Sequence, residues 1–367
     1  MQPAGRGVIA HDYIDFYGGG ERVCTSLARG FGWDLVVGNC REGVALPEDI
    51  RSHDLTAYRR APWRYNFSRI FQLKWAFENL APEVLSKADT IVFSGSIALF
   101  AHKCCRGKKV LYCHTPPRHV YDLRRFSAAQ IQSPLKRMGL RLTVPLYRRA
   151  YEKALRQMDV ILVNSENVRE RLQRFLGVNA AVVYPPVDVE RFCSEPSQGY
   201  YLSTARLDPA KRVRTIVEAF ISMPDKKLVV ASSGSDEAEL KHLARAASNI
   251  TFIGWVNDER LAELMSRCIA TIYIPQDEDF GISPVESMAA GKPVIGVAEG
   301  GLRETILDGK SGMLMRPGVK AADVAEAVRA MTAEHAGQME RDCVERAQLF
   351  SDKRFVEKMS KHIEADC

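Results

Sequence analysis

The sequence lacks any apolar run near the ~20 residues that a helix needs to span a bilayer. It also has no internal repeat and no low-complexity segment. These absences argue against a membrane-spanning, a repeat or a disordered protein. Residues 1–7 lead straight into a strand-like run and do not resemble a signal peptide. We therefore expect a globular protein of the cytoplasm.

Cysteine is present, but in no pattern that would give it a structural role. The nine cysteines are an odd number, and they show no disulfide framework. Cys104, Cys105 and Cys113 lack the Cys-x2-Cys spacing that is typical of a zinc site. A reducing cytosol is the simplest interpretation.

Acidic residues are nearly absent between Arg124 and Arg156, where Glu152 is the only one, and the formal net charge is +6. Basic tracts can dock on anionic lipid headgroups, or they can be solvated helical faces, and both interpretations stay open. We recognise no nucleic-acid-binding module and expect no nucleic-acid partner. The tract contains Arg124, Arg125, Lys136, Arg137, Arg141, Arg148, Arg149, Lys153 and Arg156. An earlier tract places Arg59, Arg60, Arg64, Arg69 and Lys74 among Trp63, Tyr65, Phe67, Phe71 and Trp75.

The length of 367 residues indicates two domains. Short apolar runs rich in β-branched residues alternate with helical patterns, which is typical of α/β domains with parallel sheets. Pro185 and Pro186 fix an extended connector, so we place the domain boundary there. The predicted units are residues 1–185, residues 186–350 and a terminal helix at 351–367.

An acidic, glycine-containing loop joins a predicted strand at 269–274 to a predicted helix that ends at Gly291. Ser283 fits the N-cap of that helix, and Glu286 either completes a capping box or meets a ligand. Ligands of open parallel sheets collect at the carboxyl ends of strands, and free amides at a helix start favour an anion. We therefore expect Glu278 and the backbone of Gly281, Ile282 and Ser283 to meet an anionic ligand.

Asp277 and Asp279 form an Asp-x-Asp pair, which can hold a divalent metal. An acidic cluster beside amides that already hold a phosphate instead favours contacts with sugar hydroxyls. We therefore expect no metal.

Two cations flank a loop that follows another predicted strand, at 200–204. Arg206 offers a planar fork for phosphate oxygens, and Lys211 offers a mobile point charge. They are either a surface pair or a phosphate site. Cations near a helix N-terminus are unfavourable unless an anion is present, which favours the phosphate site.

In the first half, a glycine loop at 18–20 follows the strand-like run 7–11, and His114 follows the strand-like run 110–113. A tight turn and a hydrogen-bonded structural histidine are the simple interpretations. The carboxyl end of a strand also faces the ligand crevice, so a site role stays open for both.

The segment EDFGISPVESMAAGKPVI, with Glu278 and Glu286 eight positions apart, closely resembles the signature of the large retaining glycosyltransferase family with the GT-B fold. The Gly-Gly-x-Glu-Arg at 18–22 and the pair Arg206 and Lys211 are also similar to patterns of that family. HTPPR, which begins at His114, resembles its mannosyltransferase-like branch.

This resemblance implies two doubly wound Rossmann-like domains that face a cleft, with a C-terminal helix that crosses back to the first domain. It also implies roles for particular residues, by analogy with the family. Glu278 would touch the donor sugar, Glu286 the ribose, and Arg206, Lys211 and the amides near Ile282 and Ser283 the diphosphate. The backbone at Gly254 and Val256 would lie near the base, Gly19 and Gly20 would face the substrates, His114 would lie near the transferred sugar, and Arg118 and Asp122 would lie on the acceptor side.

The reaction implied by the resemblance is metal-independent transfer of a hexose with retained anomeric configuration. HTPPR favours GDP-mannose as donor, with a UDP-sugar as the alternative. The acceptor would be a saccharide or a lipid-linked saccharide of surface polysaccharide or lipopolysaccharide assembly, at the inner face of the cytoplasmic membrane. A catalytically silent sugar-nucleotide or membrane-binding protein is the alternative from another class, and a GT-B epimerase or phosphorylase is a further one.

Overall fold

A computed structural model describes residues 5–15, 17–44, 46–56, 67–122 and 134–365. The chain divides into two compact units. The first unit joins Met1–Pro186 to the C-terminal segment Lys353–Cys367, and the second is Val187–Asp352. The predicted and observed divisions differ by one or two residues.

The first unit is built on a parallel sheet of seven strands, in the order β3-β2-β1-β4-β5-β6-β7. Its central strands are buried on both faces, which explains why they read as continuous apolar runs rather than as an alternation. The strands are β1 (Gly7–His11), β2 (Asp34–Val37), β3 (Ser52–Asp54), β4 (Thr90–Ser94), β5 (Lys108–Cys113), β6 (Val160–Val163) and β7 (Ala181–Val182).

Helices cover both faces of this sheet and bury two hydrophobic clusters against it. The C-terminal helix belongs to this unit, because Phe355 packs against Tyr112 with ring centroids 5.8 Å apart and Lys108 Nζ donates to the carbonyl of Ile363 at 2.7 Å. The helices are α1 (Gly19–Phe31), α2 (Phe67–Asn79), α3 (Pro82–Leu85), α4 (Pro134–Leu155), α5 (Glu166–Leu176) and, at the C-terminus, α14 (Asp352–Glu364), with a 3-10 segment at Ala98–Cys104.

The second unit has a parallel sheet of six strands, in the order β10-β9-β8-β11-β12-β13. The chain order reverses between β8 and β11, as it does between β1 and β4 in the first sheet. Ligand sites of open α/β sheets form at such reversals, at the carboxyl ends of the strands. The strands are β8 (Tyr200–Ser203), β9 (Lys227–Val230), β10 (Ile250–Phe252), β11 (Thr271–Tyr273), β12 (Val294–Val297) and β13 (Gly312–Met315).

The helices of the second unit include α9, which follows the acidic loop, and three helices at its C-terminal end, from Ala321 onward. The set is α6 (Val213–Ile221), α7 (Glu237–Leu243), α8 (Asp258–Arg267), α9 (Ile282–Ala289), α10 (Leu302–Thr305), α11 (Ala321–Ala330), α12 (Ala333–Gln338) and α13 (Glu340–Ala347). Short 3-10 segments lie at Val189–Arg191, Pro209–Lys211 and Gln348–Phe350.

Of the helices in the described ranges, none combines the length and the apolar character needed to cross a bilayer. The earlier basic tract is described only from residue 67 onward, so its members at 59–65 lie outside the described residues. Arg69 is buried and donates to both carboxylate oxygens of Asp15 at 2.8 and 2.9 Å. Lipid docking is therefore the wrong interpretation for Arg69, which forms a buried ion pair instead.

Candidate functional site

A lysine and a carboxylate meet at the carboxyl edge of the second sheet. Lys211 Nζ donates to Glu278 Oε2 at 2.6 Å and to the hydroxyl of Tyr273 at 3.3 Å. The Tyr273 hydroxyl in turn donates to Glu278 Oε2 at 3.3 Å. Burial and the Glu278 carboxylate raise the pKa of Tyr273, so its phenol stays protonated. The structure thus brings together two residues from predicted loops that lie 67 positions apart, with a tyrosine that the sequence did not single out.

Arg206 lies near this cluster without an ion pair to it in the described structure. Its side chain is 63% exposed, and its Nε lies 3.5 Å from Asp208 Oδ2. The positive charge of Arg206 opposes the rise in the pKa of Tyr273. An exposed guanidinium beside a lysine is available to an anionic ligand.

Helix α9 begins one turn after Glu278, but not with the predicted cap. Its first residue is Ile282 and its N-cap is Gly281, with φ at +93°, so the assignment of Ser283 as the N-cap is wrong. A glycine is required because of this left-handed φ and because a Cβ would lie 2.7 Å from Leu302 Cδ2. Pro284 carries no N–H, so the amides of Ile282 and Ser283 are the first donors at this helix start.

Glu286 is buried inside the second unit, at 3% exposure. The capping-box interpretation is wrong, since Ser283 is not the N-cap of the helix. Glu286 Oε1 instead lies 3.6 Å from Nη2 of Arg191, whose Nη1 donates to Asp258 Oδ2 at 2.5 Å. The ligand interpretation of Glu286 stays a prediction, and Arg191 is a neighbour that the sequence did not indicate.

The turn after β10 keeps its backbone accessible. Gly254 has φ at +74°, and both it and Val256 are half-buried. Trp255 is 76% exposed and does not cover the core. This side chain is free to contact a ligand or solvent.

The backbone of neighbouring loops fixes the acidic loop in place. The amide of Gln276 donates to the carbonyl of Ala210 at 2.8 Å, and the amide of Gly301 donates to the carbonyl of Glu278 at 2.8 Å. A Cβ at Gly300 would lie 2.2 Å from the Glu278 carbonyl oxygen. Close approach of the two backbones therefore requires glycine at 300 and holds Glu278 in position.

Glu299 connects the two loops that carry the cluster. It accepts from Nη1 of Arg212 at 3.0 Å and from the backbone of Asp277. Arg212 and Asp277 are the two non-glycine residues of the described ranges with positive φ, at +53° and +46°. They directly follow Lys211 and directly precede Glu278. Glu299 thus stabilises the strained backbone on which both site residues depend.

We expect Glu299→Ala to lower the free energy of unfolding by about 1.5 kcal/mol, the low end of the range for hydrogen bonds to a charged group, because the donors are only partly buried or exposed. The donors concerned are Arg212, the backbone of Asp277 and the amide of Gly318, which donates to Glu299 Oε1 at 3.1 Å. Urea denaturation of the variant and the wild type measures the loss. The exposed residue Glu259 provides the control, Glu259→Ala.

The pH dependence distinguishes the carboxylate of Glu299 from mere packing. Burial opposes ionisation of Glu299, but Arg212 and the two amides outweigh it and lower the pKa. The stabilisation is therefore present above the unfolded pKa of about 4.3 and is lost as the pH falls through the lower folded value. A stability difference that stayed constant across that window would contradict the role of the charge.

A second polar cluster lies at the carboxyl edge of the first sheet. Ser94 Oγ lies 2.8 Å from His114 Nε2 and 3.1 Å from His11 Nδ1. Glu21 Oε1 lies 3.8 Å from His11 Nε2. His11 and Ser94 end β1 and β4, and His114 follows β5, so three adjacent strands converge on this point. His114 is therefore hydrogen-bonded to Ser94 and linked through it to His11, and the sequence analysis selected neither residue.

The pKa values of the two histidines of this cluster shift in opposite directions. Burial and the neighbouring charge of His11 lower the pKa of His114 to about 4, so His114 is neutral at physiological pH. Burial also opposes protonation of His11, but Cys24 and Glu21 outweigh it and raise the pKa. A protonated His11 donates through Nδ1 to Ser94, whose hydroxyl proton is then directed to Nε2 of His114. With His11 protonated, the proton of neutral His114 would lie on Nδ1.

The glycine loop lies beside the histidine pair. Helix α1 begins at Gly19, and a Cβ on Gly20 would lie 3.5 Å from His11 Cε1 and 3.7 Å from His114 Cε1. The structure therefore brings Gly20 next to His114, as close neighbours within the first unit. The start of a helix here also points amides toward the edge of the sheet.

Arg118 and Asp122 form an ion pair with each other. Arg118 Nε donates to Asp122 Oδ2 at 3.0 Å, and Arg171 Nε lies 3.6 Å from the same oxygen. Arg171, which is buried on α5, also donates through Nη1 to the hydroxyl of Thr115 at 2.8 Å. This network anchors the segment that follows His114, and Arg171 is its member that the sequence did not indicate.

Metal ligands do not cluster in the part of the chain that the structure describes. There, no group of three or more His, Cys, Asp or Glu side chains is placed to hold a metal ion. The Asp-x-Asp pair of Asp277 and Asp279 therefore has no third ligand of these types within the same residues. The cysteines of the described ranges are free thiols.

Two family models match the chain, one for each unit. The model described as "Glycosyltransferase Family 4" matches residues 17–191. The model described as "Glycosyl transferases group 1" matches residues 190–350.

Curated relatives align with part of the chain. The alpha-1,3/1,6-mannosyltransferase ALG2 of Dictyostelium discoideum is 28% identical over 286 residues, which are 64% of this chain and 65% of the relative. The D-inositol 3-phosphate glycosyltransferase of Mycobacterium sp. (strain KMS) is 27% identical over 231 residues, 56% of this chain and 52% of the relative. The chain thus spans about half to two thirds of the length of these relatives.

Solved structures match nearly the whole chain at low identity. The structure of Anabaena Alr3699/HepE in complex with UDP and glucose has a TM-score of 0.77 at 16% identity and covers 98% of this chain and 99% of its own. Sucrose-phosphate synthase from Thermosynechococcus elongatus has a TM-score of 0.76 at 18% identity and covers 97% and 98%. These similarities establish the GT-B fold. The chain is thus a glycosyltransferase, whose first unit matches the family 4 model and whose second unit matches the glycosyl transferases group 1 model.

Proposed function

We propose that this protein is a retaining hexosyltransferase that moves mannose from GDP-mannose to a saccharide or lipid-linked saccharide acceptor. The observation that carries the proposal is the contact between Lys211 Nζ and Glu278 Oε2 at 2.6 Å, beside the amides of Ile282 and Ser283. A cation and free amides suit a diphosphate, and an adjacent carboxylate suits sugar hydroxyls. Both ligand types are joined in one molecule in a nucleotide sugar.

In this proposal the second unit holds the donor. Arg206, Lys211 and the start of α9 bind the diphosphate and stabilise the negative charge that grows on it as the glycosidic bond breaks. Glu278 accepts hydrogen bonds from the hexose and Glu286 from the ribose, and the turn at Gly254 and Val256 contacts the base. The interaction of Lys211 with Glu278 in the ligand-free protein neutralises both groups until the diphosphate binds.

The first unit supplies the acceptor side in this proposal, with Gly19, Gly20, Arg118 and Asp122 as contacts. Neutral His114 donates a hydrogen bond from Nδ1 to a hydroxyl of the transferred sugar. A protonated His114 could donate the same hydrogen bond, but it would bury an additional charge. The acceptor hydroxyl attacks the face from which the leaving group departs, and a phosphate oxygen of the donor takes its proton. No metal and no other cofactor takes part, and the lipid-linked acceptor places the reaction at the cytoplasmic face of the membrane.

Mannose and GDP are favoured by HTPPR at 114–118 and by the relative named as a mannosyltransferase at 28% identity. A UDP-sugar is the alternative donor. A catalytically silent sugar-nucleotide or membrane-binding protein is the alternative from another class, and the close contact of Lys211 with Glu278 argues against it. Product analysis with acceptor saccharides separates these alternatives, because only a transferase releases free nucleoside diphosphate together with an α-linked product.

We expect GDP-mannose at about one hundred times its dissociation constant to raise the melting temperature by roughly 3–8 °C, because a ligand of the native state adds about 2.7 kcal/mol at that excess. UDP-glucose and UDP-galactose should raise it less. Differential scanning fluorimetry with each nucleotide sugar measures the shift.

The variant Lys211→Ala should lose most of this shift, whereas Lys310→Ala, an exposed lysine of the same unit, should keep it. A larger shift with a UDP-sugar than with GDP-mannose would show that the donor is a UDP-sugar. A shift in Lys211→Ala as large as in the wild type would contradict the proposal that the diphosphate binds at this site.

A further inference from the structure

Helix α4 has two apolar faces, but the fold uses only one of them. The inner face buries Val144, Tyr147 and Tyr151, and the Tyr147 hydroxyl donates to the carbonyl of Ser96 at 2.9 Å. This face accounts for the attachment of the helix to the first unit. Apolar residues on the opposite side therefore need another explanation.

The outer face exposes three large apolar side chains in one row. Met138 is 56% exposed, Leu142 68% and Leu146 61%. They stand four residues apart, so at ~100° per residue they form a single stripe roughly opposite Tyr147. Single exposed apolar residues are common, but an aligned row of three marks an interaction surface.

The charges around this row have one sign. Arg141 and Arg149 are exposed at the margins of the row and form no ion pair within the described residues. Arg148 differs, because its Nε donates to Glu152 Oε1 at 2.7 Å and neutralises the one acidic residue of the tract. Apolar side chains that protrude between unpaired arginines complement a surface with negative charge above an apolar layer.

We propose that Met138, Leu142 and Leu146, flanked by Arg141 and Arg149, dock this protein on an anionic lipid bilayer. The apolar row enters the boundary between headgroups and acyl chains, and the arginines contact lipid phosphates. The proposal adopts the lipid-docking interpretation for the described part of the second basic tract. Arg124 and Arg125, like the side chains of Lys136 and Arg137, lie outside the described residues. The docking surface does not depend on the proposed donor site.

The test is co-sedimentation of the full chain with phosphatidylcholine vesicles that either contain or lack phosphatidylglycerol. Binding is expected with the anionic vesicles, at least tenfold weaker binding with the neutral ones, and loss of binding at high salt because screening removes the attraction. Equal binding to both kinds of vesicle, or no binding to either, would overturn the proposal.

Two pairs of variants separate the apolar from the charged contribution. The double variant Arg141→Gln, Arg149→Gln should bind about 25-fold more weakly, since each basic residue at an anionic surface contributes about a factor of five. The variant Leu142→Gln, Leu146→Gln should lose at least tenfold as well. The matched controls Arg329→Gln and Ile221→Gln, at exposed positions of the second unit, should bind as the wild type does.

Two further measurements identify the reason for any loss. Each variant should keep the wild-type melting temperature and the wild-type response to nucleotide sugar, so a failure of the donor assignment leaves this test intact. Sedimentation velocity tests a second copy of the chain as occupant. If the wild type is a dimer that Leu142→Gln, Leu146→Gln dissociates, the row is a self-association surface and the bilayer proposal is wrong.

Discussion

Replacing Glu278 by glutamine is expected to lower the transfer rate by roughly 10–100-fold, because a hydrogen bond to a charged group contributes about 1.5–3 kcal/mol. The affinity for GDP should stay the same or rise slightly. Glu278 accepts from Lys211 Nζ at 2.6 Å in the ligand-free protein, so its carboxylate competes with the diphosphate for this cation. Radiolabelled transfer and calorimetric titration with GDP measure the two quantities.

Lys211→Ala should show the opposite pattern. It removes a cation from the diphosphate and leaves the half-buried carboxylate of Glu278 without that cation, so the affinity for GDP should fall at least tenfold. Glu259→Gln, at an exposed position on α8, serves as the control for loss of an acidic residue. Equal losses of turnover and GDP affinity in Glu278→Gln would contradict the assignment of Glu278 to the sugar and would assign it to the diphosphate instead.

The sequence was sufficient to predict the strands, the order of the elements and the loops that carry the candidate site residues, because all three follow from short-range patterns. The buried strand β11 reads as β-branched and apolar residues, and its loop carries an acid, a glycine and a helix start in sequence. The start of α9 could not be placed correctly for a physical reason. Gly281 caps the helix through its left-handed backbone and carries no side chain, whereas Ser283 offers the hydroxyl that usually signals a cap.

Contacts between residues that are far apart in the sequence could not be predicted from a single sequence. Arg191 and Glu286 lie 3.6 Å apart, although they belong to distant segments of the sequence. Glu299 supports left-handed backbone at Arg212 and Asp277, residue types for which such a backbone is uncommon. Arg191 and Glu299 support the geometry of the site, but in the sequence each looked like an ordinary charge on the surface.

The polar cluster of the first unit was also only partly predictable from the sequence. His114 could be selected because it follows a buried strand and precedes two prolines. Its partners His11 and Ser94 also end strands, and a systematic search of strand ends would have found them. Which of these ends meet depends on the strand order β1-β4-β5, which short-range patterns do not encode.

The variant His114→Gln is expected to lower transfer by about 10²-fold at neutral pH, in the range of a lost general acid–base or polar contact in a transition state. The affinity for GDP should not change, because the proposed diphosphate contacts belong to the second unit. Glutamine can keep a hydrogen bond to Ser94 Oγ, which lies 2.8 Å from Nε2 in the wild type, so the local structure is retained. Transfer assays and GDP titration check the expected split.

The charge state of His114 predicts how stability depends on pH. Its folded pKa of about 4 lies below the unfolded value of 6.5, so the unfolded chain takes up a proton first as the pH falls. The wild type should therefore lose up to about 3 kcal/mol between these values, and His114→Gln should lose less. His11 has a raised folded pKa and the opposite sign, so His11→Gln should remove a stabilisation that is present below pH 6.5 and lost as the pH rises. Urea denaturation across this range measures both effects. The same acid-side loss in His114→Gln and wild type would show that His114 is not the neutral member of the pair.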